Sequence, residues 1–420
     1  MIWTDQAATN RPGWRRIRSF LGLRALMALV LIAAVGSYWF VDRARVQRDA
    51  VAAIVNAGGQ ALYDWQLPPA GSTGSVNLQA APPGPKWLIK LLGVDSFGTV
   101  KRVYLGEQDT DAVLAKVGRL ARLDGLSING GSGLTDTGLA HLRHLTELEH
   151  LSLSGTKLTG ACLANLRRFS RLASLHIGGL PVSDADLVHL EGLTNLETLD
   201  LSSTRVTDAG LVHLEPLAKL DVLRLSFTQV AGPGLVHLRR MNRLTSLELA
   251  ASQVADLSAI PELPGLRKLH LNGTPVDDAG LSGIVKLRSL DTLYLPGSKI
   301  TDAGLVHLRG LPRLADLMLT GTRITDAGAP ILASLPALSR LYLEGTGLTD
   351  AGLVELAKSP TLARMGLRGT GLTDAGLDHL AALRTLQTLD VSKTAATPAG
   401  IVRLKKATPG LQVRGGTSAL

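Results

Sequence analysis

The chain is 420 residues long, 45% hydrophobic but only 4% aromatic, with one cysteine and a formal net charge of +9. A lone Cys162 excludes an intramolecular disulfide, and the scarcity of aromatics leaves Leu, Val and Ala to build any core. The basicity does not describe a nucleic-acid tract: residues 1–48 hold eight Arg against Asp5 and Asp42, which is six of the nine net charges.

From Ala25 to Val41 the chain reads ALMALVLIAAVGSYWFV, without a charge, and Tyr38 with Trp39 at one end and Trp14 beyond the other suit the two faces of a bilayer. The pattern predicts a single membrane-spanning anchor over 25–41 behind a basic tail, 1–24. Arg11, Arg15, Arg16, Arg18 and Arg24 precede the span, so the positive-inside rule puts the N-terminus in the cytoplasm and everything after the span outside it. A cleaved signal peptide is the competing reading, because Ala34-Val35-Gly36 has the small residues of a cleavage site. Val46, Val51, Ile54 and Val55 then follow at helical spacing until Gly58-Gly59. Residues 60–66 read as a strand, a Pro/Gly/Ser-rich loop runs to Pro85, and Trp87, Leu88, Leu91 and Leu92 open a short helix. Residues 42–99 are expected to form a stalk and N-terminal cap, in which Tyr63, Trp65 and Trp87 cover the apolar face of whatever follows.

Beyond residue 100 one pattern recurs. In ITDAGLVHLRGLPRLADLML, 300–319, Leu305, Leu308 and Leu311 lie at helical spacing, and Leu314, Leu317 and Leu319 tighten to L-x-x-L-x-L. One helix face is followed by one short strand, and neither closes a core without a neighbouring copy. Aligned on Thr-Asp-Ala-Gly, the copies begin at Thr110, Thr135, Thr159, Ser183, Thr207, Ala231, Ala255, Asp277, Thr301, Thr325, Thr349, Thr373 and Thr397. The step is 24 residues almost throughout, with 25 at the start and 22 between Ala255 and Asp277.

This period and leucine pattern resemble a leucine-rich repeat over about three quarters of the chain. The expected fold is an α/β leucine-rich-repeat solenoid, a horseshoe with a concave parallel sheet and convex helices, spanning 100–408 in about thirteen coils, with 409–420 as a C-terminal cap or tail. At strand spacing such an array is about 60 Å long. The segment GGQALYDWQ with PKWLIKLLGVDSFGTVKRVYL is similar to the region before the repeats in many membrane-anchored bacterial leucine-rich-repeat proteins. The L-T-D-x-G-L coils also resemble those of substrate-recognition subunits of ubiquitin ligases, although no F-box precedes them here.

Inside the coils a Thr column, Thr156, Thr204, Thr228, Thr274, Thr322, Thr346, Thr370 and Thr394 with Ser252 and Ser298, is expected to satisfy the turn backbone. Asp136, Asp208, Asp302, Asp326, Asp350 and Asp374, or the Thr before each, are expected to cap the helix that follows. The 22-residue copy should have a short or 3₁₀-like convex side, and Gly130-Gly131 with Gly133 mark a one-residue insertion. Cys162 reads as a packed thiol.

Six histidines, His141, His189, His213, His237, His307 and His379, share one helix column, but no carboxylate or Cys recurs beside them, so neither a metal nor any cofactor is expected. No catalytic motif occurs, and catalysis is not expected. Binding is. With the strand leucines turned inwards, the residues between them form the concave face, whose central row reads Tyr104, Ser127, Ser152, His176, Asp200, Arg224, Glu248, His270, Tyr294, Met318, Tyr342, Gly366 and Asp390. The buried positions hardly change while this row changes at every coil, as a surface shaped for a partner would. His176, Asp200, Arg224, Glu248, His270, Tyr294, Met318 and Tyr342, with Arg340 and Arg364 (and Arg368) at a basic edge, are the expected contacts for a protein partner. An envelope-structural or glycan-binding scaffold is the other class these features allow.

Overall fold

A computed structural model describes residues 13–68, 75–108, 110–130 and 133–415, with side chains in the first helix described from Ala25 onward. Most of the basic tail, the Trp14 side chain, Gly131 and residues 416–420 therefore lie outside the described residues.

The anchor segment and the helix after it are one element, α1 (Gly13–Asn56). From Ala25 on, α1 is long and apolar enough to cross a membrane, and its most apolar stretch is unburied. Beyond it the helix changes character, because Ala44, Gln47, Ala50 and Ile54 turn one stripe into the protein. Val55, counted with that stripe from its spacing, faces outwards instead. Gly58 ends the helix at φ +81°, and a Cβ on Gly59 would lie 2.6 Å from the Tyr104 carbonyl oxygen, so the chain turns close against its neighbour.

The turn delivers β1 (Gln60–Tyr63), which pairs antiparallel with β2 (Val100–Leu105). Thereafter every pairing is parallel, and among the described residues fifteen strands stand in strict chain order in one sheet. Most strands are three residues long, as at Thr292–Tyr294 and Asp316–Met318. Leu293, Leu317 and Leu341 lie side by side in register, each fully buried, as the repeat pattern requires. A final strand, Gln412–Gly415, adds to the expected C-terminal cap by pairing with Thr388–Val391.

The cap differs from expectation in one member. Tyr63 is buried and stacks on Trp65 at 4.4 Å, over Gly98, where any Cβ would collide with the indole ring. Trp87 does not join them: it is 68% exposed, because helix Lys86–Leu92 buries none of its residues.

The convex side differs more. Seven coils from Gly138–His144 to Gly304–Gly310 carry 3₁₀ segments, and α-helix returns only at Ala329–Ser334, Asp350–Leu356, Asp374–Leu380 and Pro398–Ala407. Strands stack roughly 4.8 Å apart, whereas an α-helix with its side chains is roughly 10 Å across. The narrower 3₁₀ form lets the convex side keep closer pace with the sheet. The 22-residue copy has no helix at all over 255–260, consistent with its shortened half.

The aspartates do not cap their own helices. Asp302 accepts from the backbone N–H and the hydroxyl of Thr325 in the next coil, at 2.9 and 2.5 Å, and Thr325 in turn accepts from Ala327 N–H at the start of its own segment. The same relay joins Asp278 to Thr301, Asp326 to Thr349 and Asp350 to Thr373. Thr is thus the cap and Asp the staple between coils. Three breaks interrupt the ladder: Gly160 and Gly232 stand where an Asp would reach Ser183 and Ala255, and Asp256, in the short copy, turns back onto Ser258. The Thr column works within a coil, each hydroxyl donating to the carbonyl three residues earlier, as Thr322 does to Leu319 at 2.6 Å. Ser252 and Ser298 in that column leave their hydroxyls unpartnered.

Candidate functional site

The central row is continuous on the concave face: Tyr104, Ser127, Ser152, His176, Asp200, Arg224, Glu248, His270, Tyr294, Met318, Tyr342, Gly366 and Asp390 pair in register from strand to strand. Arg414 extends it by one place. The expected contact residues fall into two separate groups along this row.

The first group is self-neutralised. His176 Nδ1 lies 3.7 Å from Asp200 Oδ2, and Arg224 Nε donates to Glu248 Oε1 at 3.1 Å. The alternating charges Asp200, Arg224 and Glu248 therefore resolve into neighbouring pairs. Burial opposes ionisation of Asp200, but the nearby His176 ring and the hydrogen bond from Ser202 outweigh it and hold the carboxyl at about 2.

The second group converges. The His270 ring stacks on Tyr294 at 4.8 Å with 7° between planes, and the Tyr294 hydroxyl donates to Asp316 Oδ2 at 3.2 Å. Arg340 Nε donates to the same oxygen at 2.6 Å. Met318 lies in register between Tyr294 and Tyr342. Tyr342 is flanked by Gly366, where a Cβ would come within 2.9 Å of the tyrosine ring and 1.9 Å of Glu344 Oε1. Burial, reinforced by Asp316, raises the Tyr294 phenol and keeps it a donor. Burial likewise lowers His270, against the pull of Glu248, and keeps its ring neutral.

Asp316 is the residue sequence reasoning missed. It stands at the first position of its strand, two before Met318, so it shares that residue's face, and it is only 6% exposed. Its pairing takes Arg340 out of the supposed basic edge, leaving Arg364 and Arg368 exposed there. The signal was available: an Asp directly opposite an Arg on the adjacent coil, 24 residues on. Around this cluster three polar atoms have no partner among the described residues and are shut off from solvent: His270 Nε2, Asn272 Oδ1 and Asp316 Oδ1.

On the convex side the histidine column does meet carboxylates. His213 Nδ1 is 2.7 Å from Glu191, and His237 Nδ1 is 2.6 Å from Glu215, each one coil back. These Glu sit two residues after a column His, a position the column-by-column reading passed over. Cys162 is fully buried, and burial first, then Asp136 and Asp186, pushes its thiol up to about 12, where it is unreactive.

A family model described as a leucine-rich repeat matches residues 192–214. An internalin from Listeria monocytogenes aligns over 79% of this chain and 93% of its own, at 19% identity and a TM-score of 0.61. A leucine-rich-repeat protein of Leptospira interrogans aligns over 75% of this chain and 89% of its own, at 19% identity and a TM-score of 0.48. The receptor of a TLR13–ssRNA13 complex aligns over 75% of this chain and 49% of its own, at 18% identity and a TM-score of 0.50. No curated protein sequence matches. The fold is a leucine-rich-repeat solenoid preceded by one long apolar helix.

Proposed function

We propose that the chain is a non-enzymatic recognition module, anchored in a membrane by residues 25–41 with its N-terminus cytoplasmic and its repeats outside, and that its concave sheet binds a protein partner. What carries the reading is the cluster of His270, Tyr294, Asp316, Met318, Arg340 and Tyr342. The His270 and Tyr294 rings are held by their stack, and Tyr294 and Arg340 by a shared carboxylate, before any partner arrives, so these side chains have little entropy left to lose on binding. Aromatic and Arg side chains in such a setting are the common anchors of protein interfaces. His176, Asp200, Arg224 and Glu248, already paired among themselves, serve as a polar margin, with Arg364 at the other end.

Photoreactive residues at Tyr294 and Tyr342, compared in the native membrane with the convex position Glu355, test the proposal. The concave positions should capture one discrete protein that the convex position does not. The same random set from both faces would overturn the concave site. Protease added to intact cells should digest the repeats, and digestion only after lysis would reverse the proposed orientation.

A further inference from the structure

We propose that the junction between α1 and the first coil binds the headgroup of an anionic phospholipid; this rests on the membrane-anchored reading above. Where α1 emerges from its apolar stretch, a cavity of about 230 Å³ opens between the helix and the first coil. Its walls are apolar, with Trp39, Val46 and Leu120 among them, and Arg43, Arg119 and Arg122 line it against the single carboxylate of Asp42. Arg43 reaches Thr99 Oγ1, while Arg119 and Arg122 are exposed and make no ion pair among the described residues. Two unpaired guanidinium groups beside an apolar cup suit a phosphodiester and repel a cation.

A second observation says what the rest of the ligand is. Trp39 also walls a shallow depression on α1 itself, lined by Leu31, Ile32, Val35 and Gly36. A Cβ at Gly36 would meet nothing within 4 Å, so the space over it is open to an occupant. The basic cup and the apolar groove therefore share one wall. From Leu31 to Trp39 the groove follows roughly 12 Å of helix, most of the roughly 15 Å of hydrocarbon in one leaflet. An acyl chain along the groove brings its phosphate to the arginines; a soluble anion would use the cup and leave the groove empty. Anionic rather than zwitterionic lipid is specified by the excess of guanidinium over carboxylate.

The test uses the full chain purified in neutral detergent, with phosphatidylglycerol or phosphatidylcholine added in equal amounts and retention read by native mass spectrometry. Phosphatidylglycerol should be retained preferentially, and the double variant Arg119→Gln/Arg122→Gln should lower its retained fraction roughly tenfold or more. A control pair at the far end of the array, Lys405→Gln/Lys406→Gln, should leave it unchanged. Equal retention of both lipids, indifference to the double variant, or displacement of phosphatidylglycerol by millimolar inorganic phosphate would overturn the inference. Carbonate extraction of native membranes separates the two readings. A chain that is extracted sinks both the anchor and the lipid site, whereas one that stays in the pellet without lipid preference sinks the lipid site alone.

Discussion

Phe227 sits where the chain turns after its strand, in the left-handed backbone region at φ +59°. Most coils fill that position with Gly, as at Gly273, Gly297, Gly321, Gly345 and Gly369, whereas Ser203, Phe227, Ala251 and Lys393 hold it with a side chain. A Cβ there crowds the following carbonyl, and Phe227 is 64% exposed, so little packing offsets the strain. Phe227→Gly should therefore stabilise the fold by about 0.5–1 kcal/mol, after the entropy that Gly adds to the unfolded chain. A higher urea midpoint checks this; a lower one would mean that the ring is held by contacts worth more than the strain. His270 gives a pH signature of the opposite kind. Its folded value lies below 6.5, so as the pH falls through 6.5 the unfolded chain takes up a proton that the stacked ring refuses, and stability drops. Asp200 acts lower down, contributing stability above 3.8 that is lost as the pH approaches about 2. The thermal midpoint should decline from pH 6.5 downwards less steeply in a His270→Gln chain than in the unmodified one.

Between elements, the staple from Asp to the next Thr explains why the motif reads Thr-Asp-Ala-Gly. The Gly of each following copy packs against that carboxylate: a Cβ at Gly328 would lie 2.4 Å from Asp302 Oδ1, and one at Gly352 would lie 2.5 Å from Asp326 Oδ1. Asp302→Ala should cost about 1–2 kcal/mol through two lost charge-assisted hydrogen bonds. Gly328→Ala should cost about 1–3 kcal/mol by overpacking. Because both changes act at one contact, the double variant should cost clearly less than the two costs added, and additivity in denaturant titrations would show that the contact is not shared. Leu-to-Leu period and strand register were legible in the sequence, since they follow from chemistry local to one coil. The role of Asp302 and the pairing of His213 with Glu191 were not, because each depends on what stands one coil away; the carboxylate under Tyr294 and Arg340 could be read from the 24-residue spacing of Asp316 and Arg340 but was overlooked. The choice of 3₁₀ over α escaped for the same reason: a seven-residue run such as DAGLVHL suits either form, and the spacing of the stack decides.

At the scale of the molecule, each coil touches chiefly its neighbours, so stability in such an array is approximately a sum of coil and interface contributions. The first interface is unlike the rest, being made by α1. Gln47, 4% exposed, donates to the carbonyls of Asp95 and Gly98 at 3.2 and 3.1 Å and accepts from Val100 N–H at 3.0 Å, fastening the helix to the start of β2. Helical spacing predicted that this stretch would pack through its valines; the buried glutamine at its centre was invisible until the loop it satisfies was in place. Gln47→Leu should leave those backbone groups unpaired and cost about 2–4 kcal/mol at that interface. In a stack governed by nearest neighbours, the loss should surface as faster hydrogen exchange over 94–105, with the strands around Leu293, Leu317 and Leu341 as protected as before. If protection fell along the whole sheet instead, the helix would be the cap on which every coil depends, and a ligand that tightened its junction with the first coil would stabilise the concave face many coils away.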